Sequence, residues 1–289
     1  PWLLQGDGKM SKSKGNVLYA DELVDFFGVD AVRYFVLHEM PFENDGVISW
    51  ELMVERLNSD LANTLGNLVN RTISMSNKYF GGVVNNAGVT EEVDEDLKKV
   101  VLETQVKASK KMEDLRVADA ITEIFTMFKR CNKYIDETMP WALAKDEEKK
   151  ARLETVLYNL IESITIGASL LEPFMPETSK KILQQINAEA RAFDDMEEFG
   201  KYKSGNKVTE KPEILFARMD IKDVMEKVEE IKAAQKKDIE GEKYPEVEAK
   251  PEITIDDFDK VQIQVGEVIK CEPVPKAKKL LVSQIKIGA

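Results

Sequence analysis

From Leu57 onward, apolar residues recur at the helical period. Leu57, Leu61, Leu65, Leu68 and Thr72 fall on one stripe, and the spacing predicts a helix from about Ser49 to Phe80. At about 100° per residue, Asn63, Asn67, Asn70, Arg71, Ser74 and Lys78 gather on the opposite face. Gly81-Gly82 ends this helix, and Asn85-Asn86-Ala87-Gly88 continues a loop. Three more stripes follow. Leu97, Val100, Val101, Ala108, Met112 and Leu115 mark the first. Ala120, Ile121, Ile124, Phe125, Phe128, Cys131, Tyr134 and Ile135 mark the second, and Leu153, Val156, Leu157, Leu160, Ile161, Ile164 and Leu171 the third. Such stripes must bury one another, which predicts an antiparallel helical bundle. Cys131 lies on a stripe and reads as core packing rather than as a nucleophile.

The two ends carry other patterns. Trp2-Leu3-Leu4 reads as a strand that turns at Gly6-Asp7-Gly8. Two short helices follow, one holding Leu23, Val24, Phe26 and Phe27, the next running from Asp30 as N-cap through Tyr34, Phe35 and Leu37. Pro41 ends it, and Glu43-Asn44-Asp45-Gly46 is a turn. Beyond the bundle, Pro173 and Pro176 close the long helix, and Ile182, Leu183 and Ile186 mark a short one. Residues 189–212 are polar and irregular, Ile214-Leu215-Phe216 is an extended segment returning to the body, and Val224, Val228 and Ile231 mark a thin amphipathic helix. Residues 238–252 are charged, contain prolines and read as a linker. From Ile253 the period changes to two. Val261, Ile263 and Val265 face one way, Gly266 resets the alternation as at a bulge, Ile269 and Cys271 continue it, and Ile285 and Ile287 start a second strand.

Composition narrows the function. At 289 residues the length suggests about two domains. The net charge of −12 argues against nucleic-acid binding through overall charge, so any RNA contact needs a local patch. Residues 61–90 supply one candidate, with Arg71 and Lys78 and no Asp or Glu. The polar helix face there is either a solvated surface or a place where RNA is not repelled. Residues 253–289 carry six lysines against five acidic residues. Cys131 and Cys271 form no metal-spacing motif and no disulfide framework, which points to a reducing cytoplasm. No apolar run reaches about 18 residues, so no transmembrane helix is predicted. The chain starts at Pro1 with no initiator Met and no signal peptide, and reads as a fragment of a longer protein.

One stretch carries chemistry on its face. Lys9-Met10-Ser11-Lys12-Ser13-Lys14 places three lysines within six residues, between Gly8 and Gly15. It reads as a loop of concentrated positive charge, able to close over a polyphosphate and stabilise charge on a pyrophosphate leaving group. A plain basic turn is the alternative. His38, the single histidine, reads as a partly buried helix-end residue without an acid partner. In Thr138-Met139-Pro140-Trp141, Pro140 suits the first helical position and leaves Trp141 in the first turn, where it either caps the bundle core or offers a stacking surface.

The lysine run resembles the ATP-site signature loop of class I aminoacyl-tRNA synthetases. Asp30-Ala31-Val32-Arg33-Tyr34-Phe35, the Pro41-Phe42 turn with Asp45-Gly46, and Asp60-Leu61-Ala62-Asn63-Thr64-Leu65-Gly66-Asn67-Leu68-Val69-Asn70-Arg71 resemble the methionyl-tRNA synthetases in particular. Asp257-Phe258, Val265-Gly266 and Lys279-Leu280-Leu281 resemble the opening of the OB-type tRNA-binding domain appended to many of them, although Val274 and Lys276 stand where the family more often has His and Asn. The resemblance implies a mostly α fold: the tail of a Rossmann-type catalytic domain (1–48), a helical anticodon-binding domain (49–237), a linker (238–252) and a truncated OB-type piece (253–289) with too few strands to close a barrel. It implies ATP-dependent activation of methionine and transfer to tRNA(Met). Lys9 and Lys12 would lie over the leaving phosphates, Met10, Ser11 and Ser13 would complete the ATP-binding loop, and Mg²⁺ would accompany ATP. Asn67, Arg71 and Trp141 would contact the anticodon, and a homodimer could form through a complete C-terminal domain. A non-catalytic tRNA-binding module is the rival reading. It explains residues 49–289 but not the lysine run.

Overall fold

The computed structural model describes residues 2–5, 8–11, 17–40, 44–241, 252, 254–274 and 280–288, with backbone alone over 234–241. Gly6-Asp7, Lys12, Ser13 and the rest of the lysine run, the Pro41-Phe42 turn, residues 242–251 of the expected linker and the basic turn Lys276-Ala277-Lys278-Lys279 lie outside the described residues. The chain divides into two compact units, Pro1–Gly241 and Glu242–Ala289.

The first unit opens on a small sheet. Strand β1 (Leu3–Gln5) pairs antiparallel with β2 (Gly8–Lys9) and parallel with β3 (Gly46–Ile48). β3 has only three residues, too few for a period-two pattern to be read, and it is placed by tertiary contact. Ile48 points into the core, Trp2 N–H donates to Asp45 Oδ1 at 2.6 Å, and Gly46 N–H donates to the Trp2 carbonyl at 2.9 Å. Helices α1 (Ala20–Phe27) and α2 (Val29–Glu39) meet at Gly28, whose φ of 81° favours glycine. Asp30 is not the N-cap expected from sequence. It lies inside α2, buried, and its carboxylate accepts from Thr178 N–H at 2.6 Å, so it caps the distant helix α9 (Pro176–Gln185).

The helix expected from Ser49 to Phe80 is present but not uniform. Ser49 Oγ accepts from Leu52 N–H at 3.1 Å and caps α3 (Trp50–Arg56). Leu57–Gly66 then winds as a π-helix, and α4 (Asn67–Phe80) resumes the α form. Leu57, Leu61 and Leu65 stay buried because a spacing of four keeps one side inward across both windings. The wider turn itself left no mark that the α-helical period could reveal. Gly81 ends α4 in the left-handed region, φ 60°. β4 (Val83–Val84) pairs antiparallel with β5 (Asn206–Lys207).

α5 (Glu92–Glu113), α6 (Val117–Thr138) and α8 (Lys150–Leu171) complete the bundle with α4, and the short α7 (Pro140–Leu143) joins α6 to α8. Consecutive long helices alternate in direction, so α6 runs alongside α4 in the same sense. Asn132 Nδ2 donates to the Thr64 carbonyl at 2.9 Å, and further along both helices Arg71 meets Asp136. Leu115, expected on the α5 stripe, is 70% exposed and sits past the helix end with φ 59°.

α8 is the centre of the fold and is buried on all sides. Its polar positions survive there because each finds a partner. Glu162, fully buried, accepts from the Arg191 guanidinium and from the backbone N–H groups of Gly200, Lys201 and Tyr202 at 2.7, 3.1 and 2.8 Å. Residues 191–202 therefore cover α8, and the stretch 189–212, expected to be irregular and polar, also holds a short 3-10 helix (Phe193–Glu197), strand β5 and buried Met196, Tyr202 and Val208. Cys131 packs in the core as expected, and burial pushes its thiol up to about 12.

α10 (Ile221–Gly241) buries Val224 and Val228 and continues into the first residues of the stretch read as linker. In the second unit, a Thr254/Asp257 capping box starts α11 (Ile255–Phe258), and β6 (Gly266–Pro273) pairs antiparallel with β7 (Leu281–Ile287). The strand begins at Gly266 rather than before it, and the bulge lies between Val268 and Lys270. Among the described residues no second layer covers this hairpin, and Val268, Ile269, Val282 and Ile285 are exposed. Among the described residues, no helix is long and apolar enough to cross a membrane.

Candidate nucleic-acid interface

The polar face of the 57–80 helix is where sequence placed it. Leu68, Val69, Thr72 and Ile73 of α4 point into the core, while Asn67, Ser74 and Lys78 are exposed and Arg71 is half-buried. Asn67 and Arg71, one turn apart, are neighbours on that face. No carboxylate in residues 61–90 opposes them.

The course of α6 brings the turn that carries Trp141 alongside α4. Arg71 Nη2 stands 3.6 Å from Asp136 Oδ1, two residues before the end of α6. Both side chains are partly solvated, so the pair is loose and part of the guanidinium stays accessible. Thr138 then closes α6 by donating to the Tyr134 carbonyl, Met139 takes a left-handed φ of 44°, and Pro140 starts α7 at its first position. Trp141 follows, 43% exposed. Leu143 and Ala144, one turn on, line a cavity of about 80 Å³ with Tyr79 and Phe80 at the end of α4. The Trp141 turn is thus bracketed between Arg71 and Tyr79, a stretch of about 12 Å along α4 at 1.5 Å per residue. Sequence suggested this proximity without fixing it. The structure places Asn67 and Arg71 together on α4 and runs the turn that carries Trp141 beside that helix.

A buried polar cluster anchors this end. Arg152 donates two hydrogen bonds, each 2.8 Å, to the two oxygens of fully buried Asp94. Tyr134 Oη donates to Asp94 Oδ1 at 2.5 Å, Glu91 N–H donates to Oδ2 at 2.8 Å, and Asn159 Nδ2 donates to Tyr134 Oη at 3.2 Å. Burial, and then the bond to Asp94, raises the Tyr134 phenol well above its ordinary range, so it remains a donor. Tyr134 lies one turn before Thr138. The cluster therefore fixes the helix end from which the Trp141 turn departs.

The lysine run is described only at its start. Lys9 ends β2, and its ammonium stands 5.1 Å from the centre of the Trp2 ring. Met10 packs against the core and Ser11 is half-buried, while Lys12 and Ser13 lie outside the described residues. α2, which follows, is tied to the π segment by charge. Tyr34 Oη donates to Asp60 Oδ2 at 3.0 Å, and Arg56 stands 2.9 Å from Glu39 Oε1 and 3.7 Å from Asp60. His38 is partly buried at a helix end as expected, but it does have an acid partner, Glu39 at 2.7 Å, with Thr122 on its other nitrogen at 3.1 Å. That neighbour was visible in sequence. Sequence could not tell that it turns toward the ring.

Sequence marked 214–216 as a segment returning to the body but not where it is seated. Asn58 brackets the Met219 backbone, donating to its carbonyl at 2.8 Å and accepting from its N–H at 2.9 Å, and Arg218 bonds Asn63 Oδ1. Residues 214–218 thereby lie along the π segment beside Asn67. The contacts join residues about 160 apart, and the partners Asn58 and Arg218 show no pattern of their own.

A family model described as tRNA synthetases class I (M) matches residues 1–73, and one described as the anticodon binding domain of methionyl tRNA ligase matches residues 84–236. The methionine–tRNA ligase of Clostridium perfringens is 46% identical over 287 residues, 99% of this chain and 44% of the relative. That of Clostridium tetani is 47% identical over the same shares. The chain spans 44% of the length of these curated relatives. Among solved structures, Mycobacterium tuberculosis methionyl-tRNA synthetase in complex with methionyl-adenylate is 35% identical with a TM-score of 0.70, over 75% of this chain and 43% of that one. Asn67 and Arg71 fall in the first family match and Trp141 in the second, which covers more than half of the chain: the chain belongs to the methionyl-tRNA synthetase family.

Proposed function

We propose that this chain works within a methionine–tRNA ligase, recognising the anticodon of tRNA(Met) and contributing the lysine loop of the ATP site. The observation that carries the first part is the pairing of Asn67 and Arg71 on a face of α4 that has no Asp or Glu of its own, with the turn bearing the half-exposed Trp141 running beside it, in a chain of net charge −12. The three chemistries are complementary. An amide pairs with a base edge, a guanidinium takes a base or a phosphate, and an indole stacks. A single-stranded, unstacked RNA loop offers all three targets together.

For the ATP site, Lys9 and Lys12 stabilise the pyrophosphate as the methionine carboxylate attacks the α-phosphate of MgATP, with Met10, Ser11 and Ser13 shaping the loop. The domain division read from sequence, 1–48, 49–237, 238–252 and 253–289, belongs to this reading. Trp141→Ala should weaken binding of tRNA carrying the CAU anticodon about 5- to 150-fold, with a much smaller effect on tRNAs altered only in the anticodon. Competition binding measures this, and equal losses on every tRNA would assign Trp141 to the core instead. In the whole synthetase, Lys12→Ala should slow methionine-dependent pyrophosphate exchange about 100- to 1000-fold, as loss of one charge-stabilising donor does elsewhere, with tRNA affinity little changed. An unchanged exchange rate would remove Lys12 from this role.

A further inference from the structure

A groove opens on the other side of Asn67. Gly66, Asn67 and Asn70 form one wall and Ile214, Phe216 and Arg218 the other, around a cavity of about 360 Å³. That is the size of a small-ligand site. Both walls are fixed. The return segment is bracketed through Met219 by Asn58, and Arg218 is held by Asn63. On the helix side, Gly66 presents bare backbone at the last residue of the π segment. A Cβ there would meet the Leu61 carbonyl oxygen of the same helix at 3.2 Å.

The lining matches one kind of occupant. Ile214 is 75% exposed, an unusual position for a large apolar side chain, and the Phe216 ring is half-buried beside it. Asn67 and Asn70 offer amide donors and acceptors, Arg218 a cation, and no carboxylate lines the groove. Apolar faces combined with in-plane amide groups are what a base requires for stacking and edge recognition. The groove adjoins the Arg71 side of α4 through Asn67, which lines it and stands one turn from Arg71.

We infer that the groove between the π segment and residues 214–218 is a second nucleobase subsite. It takes one unstacked base of the RNA loop whose neighbour lies at Arg71 and Trp141. The inference rests on the anticodon reading above and adds the residues Asn70, Ile214, Phe216 and Arg218 to it.

The test is a double-mutant cycle between protein and RNA. A stem-loop with the CAU triplet, and versions each lacking one loop base, are titrated onto the full chain. For the wild-type protein, removing the base that enters the groove should weaken binding about 5- to 150-fold. In Phe216→Ala the same removal should cost less than about twofold, the level expected of independent sites, whereas Trp141→Ala should cancel the loss for a different base. Asn70→Ala, at a half-exposed position, provides the same cycle should Phe216→Ala fail to fold. If Trp141→Ala cancels one base but neither Phe216→Ala nor Asn70→Ala cancels any, the second subsite is refuted and the anticodon reading stands. If the wild-type chain does not distinguish the CAU triplet from others, both fall.

Discussion

Arg152→Met tests whether the buried cluster beneath the Trp141 turn is held by charge. The Arg152 side chain is 6% exposed and that of Asp94 is not exposed at all. Methionine keeps much of the volume of the arginine stem, so the change removes charge and donors more than packing. It leaves Asp94 buried with the Tyr134 hydroxyl and the Glu91 N–H as donors. Breaking a buried pair from one side costs about 3–5 kcal/mol. Two surviving hydrogen bonds to the carboxylate place the expected loss near the lower end, about 3 kcal/mol. Urea titration should show a lower midpoint at unchanged slope. A loss below about 1 kcal/mol is what solvated pairs give, and it would refute the burial argument. Adding Asp94→Leu to Arg152→Met should recover part of the loss, since no charge is then left buried. Recovery should be incomplete because Tyr134 still lacks its acceptor. If the two changes simply add, uncompensated charge is not the cause.

Gly167→Ala should destabilise the first unit by at least about 1–3 kcal/mol, because the new methyl would lie 2.4 Å from Phe128 Cε1 and 2.5 Å from Met127 Cε in the packed core; thermal melting at constant pH would show it, and an unchanged midpoint would contradict this packing. Stability should also fall in alkali. Burial raises Cys131 from 9.0, and Tyr158 and Tyr202 from 10.0, to about 12 in the folded chain. These groups favour the folded state while protonated, so their contribution is complete below about pH 9 and is lost as pH rises toward 12. Urea midpoints compared at about pH 8 and pH 11 would check this, and equal values would overturn it.

The amino-acid sequence by itself determined the helices of the bundle and the faces they bury. The leucine stripe from Leu57, the Phe125–Phe128–Cys131 stripe and the Pro140 start of α7 are local patterns, and periodicity and backbone restriction report them directly. It also marked the carboxylate-free face with Asn67 and Arg71, because charge along one helix is readable at its period. Tertiary structure decided the rest. The capping of α9 by Asp30, the burial of Glu162 beneath residues 191–202 and the seating of 214–218 beside Asn67 each join residues far apart in the chain, and the π winding of Leu57–Gly66 is local but leaves no mark in the α-helical period. A buried carboxylate and a solvated one look the same in sequence. Only the fold brings Arg191 and three backbone N–H groups to Glu162, and that is what lets a charge remain in the core.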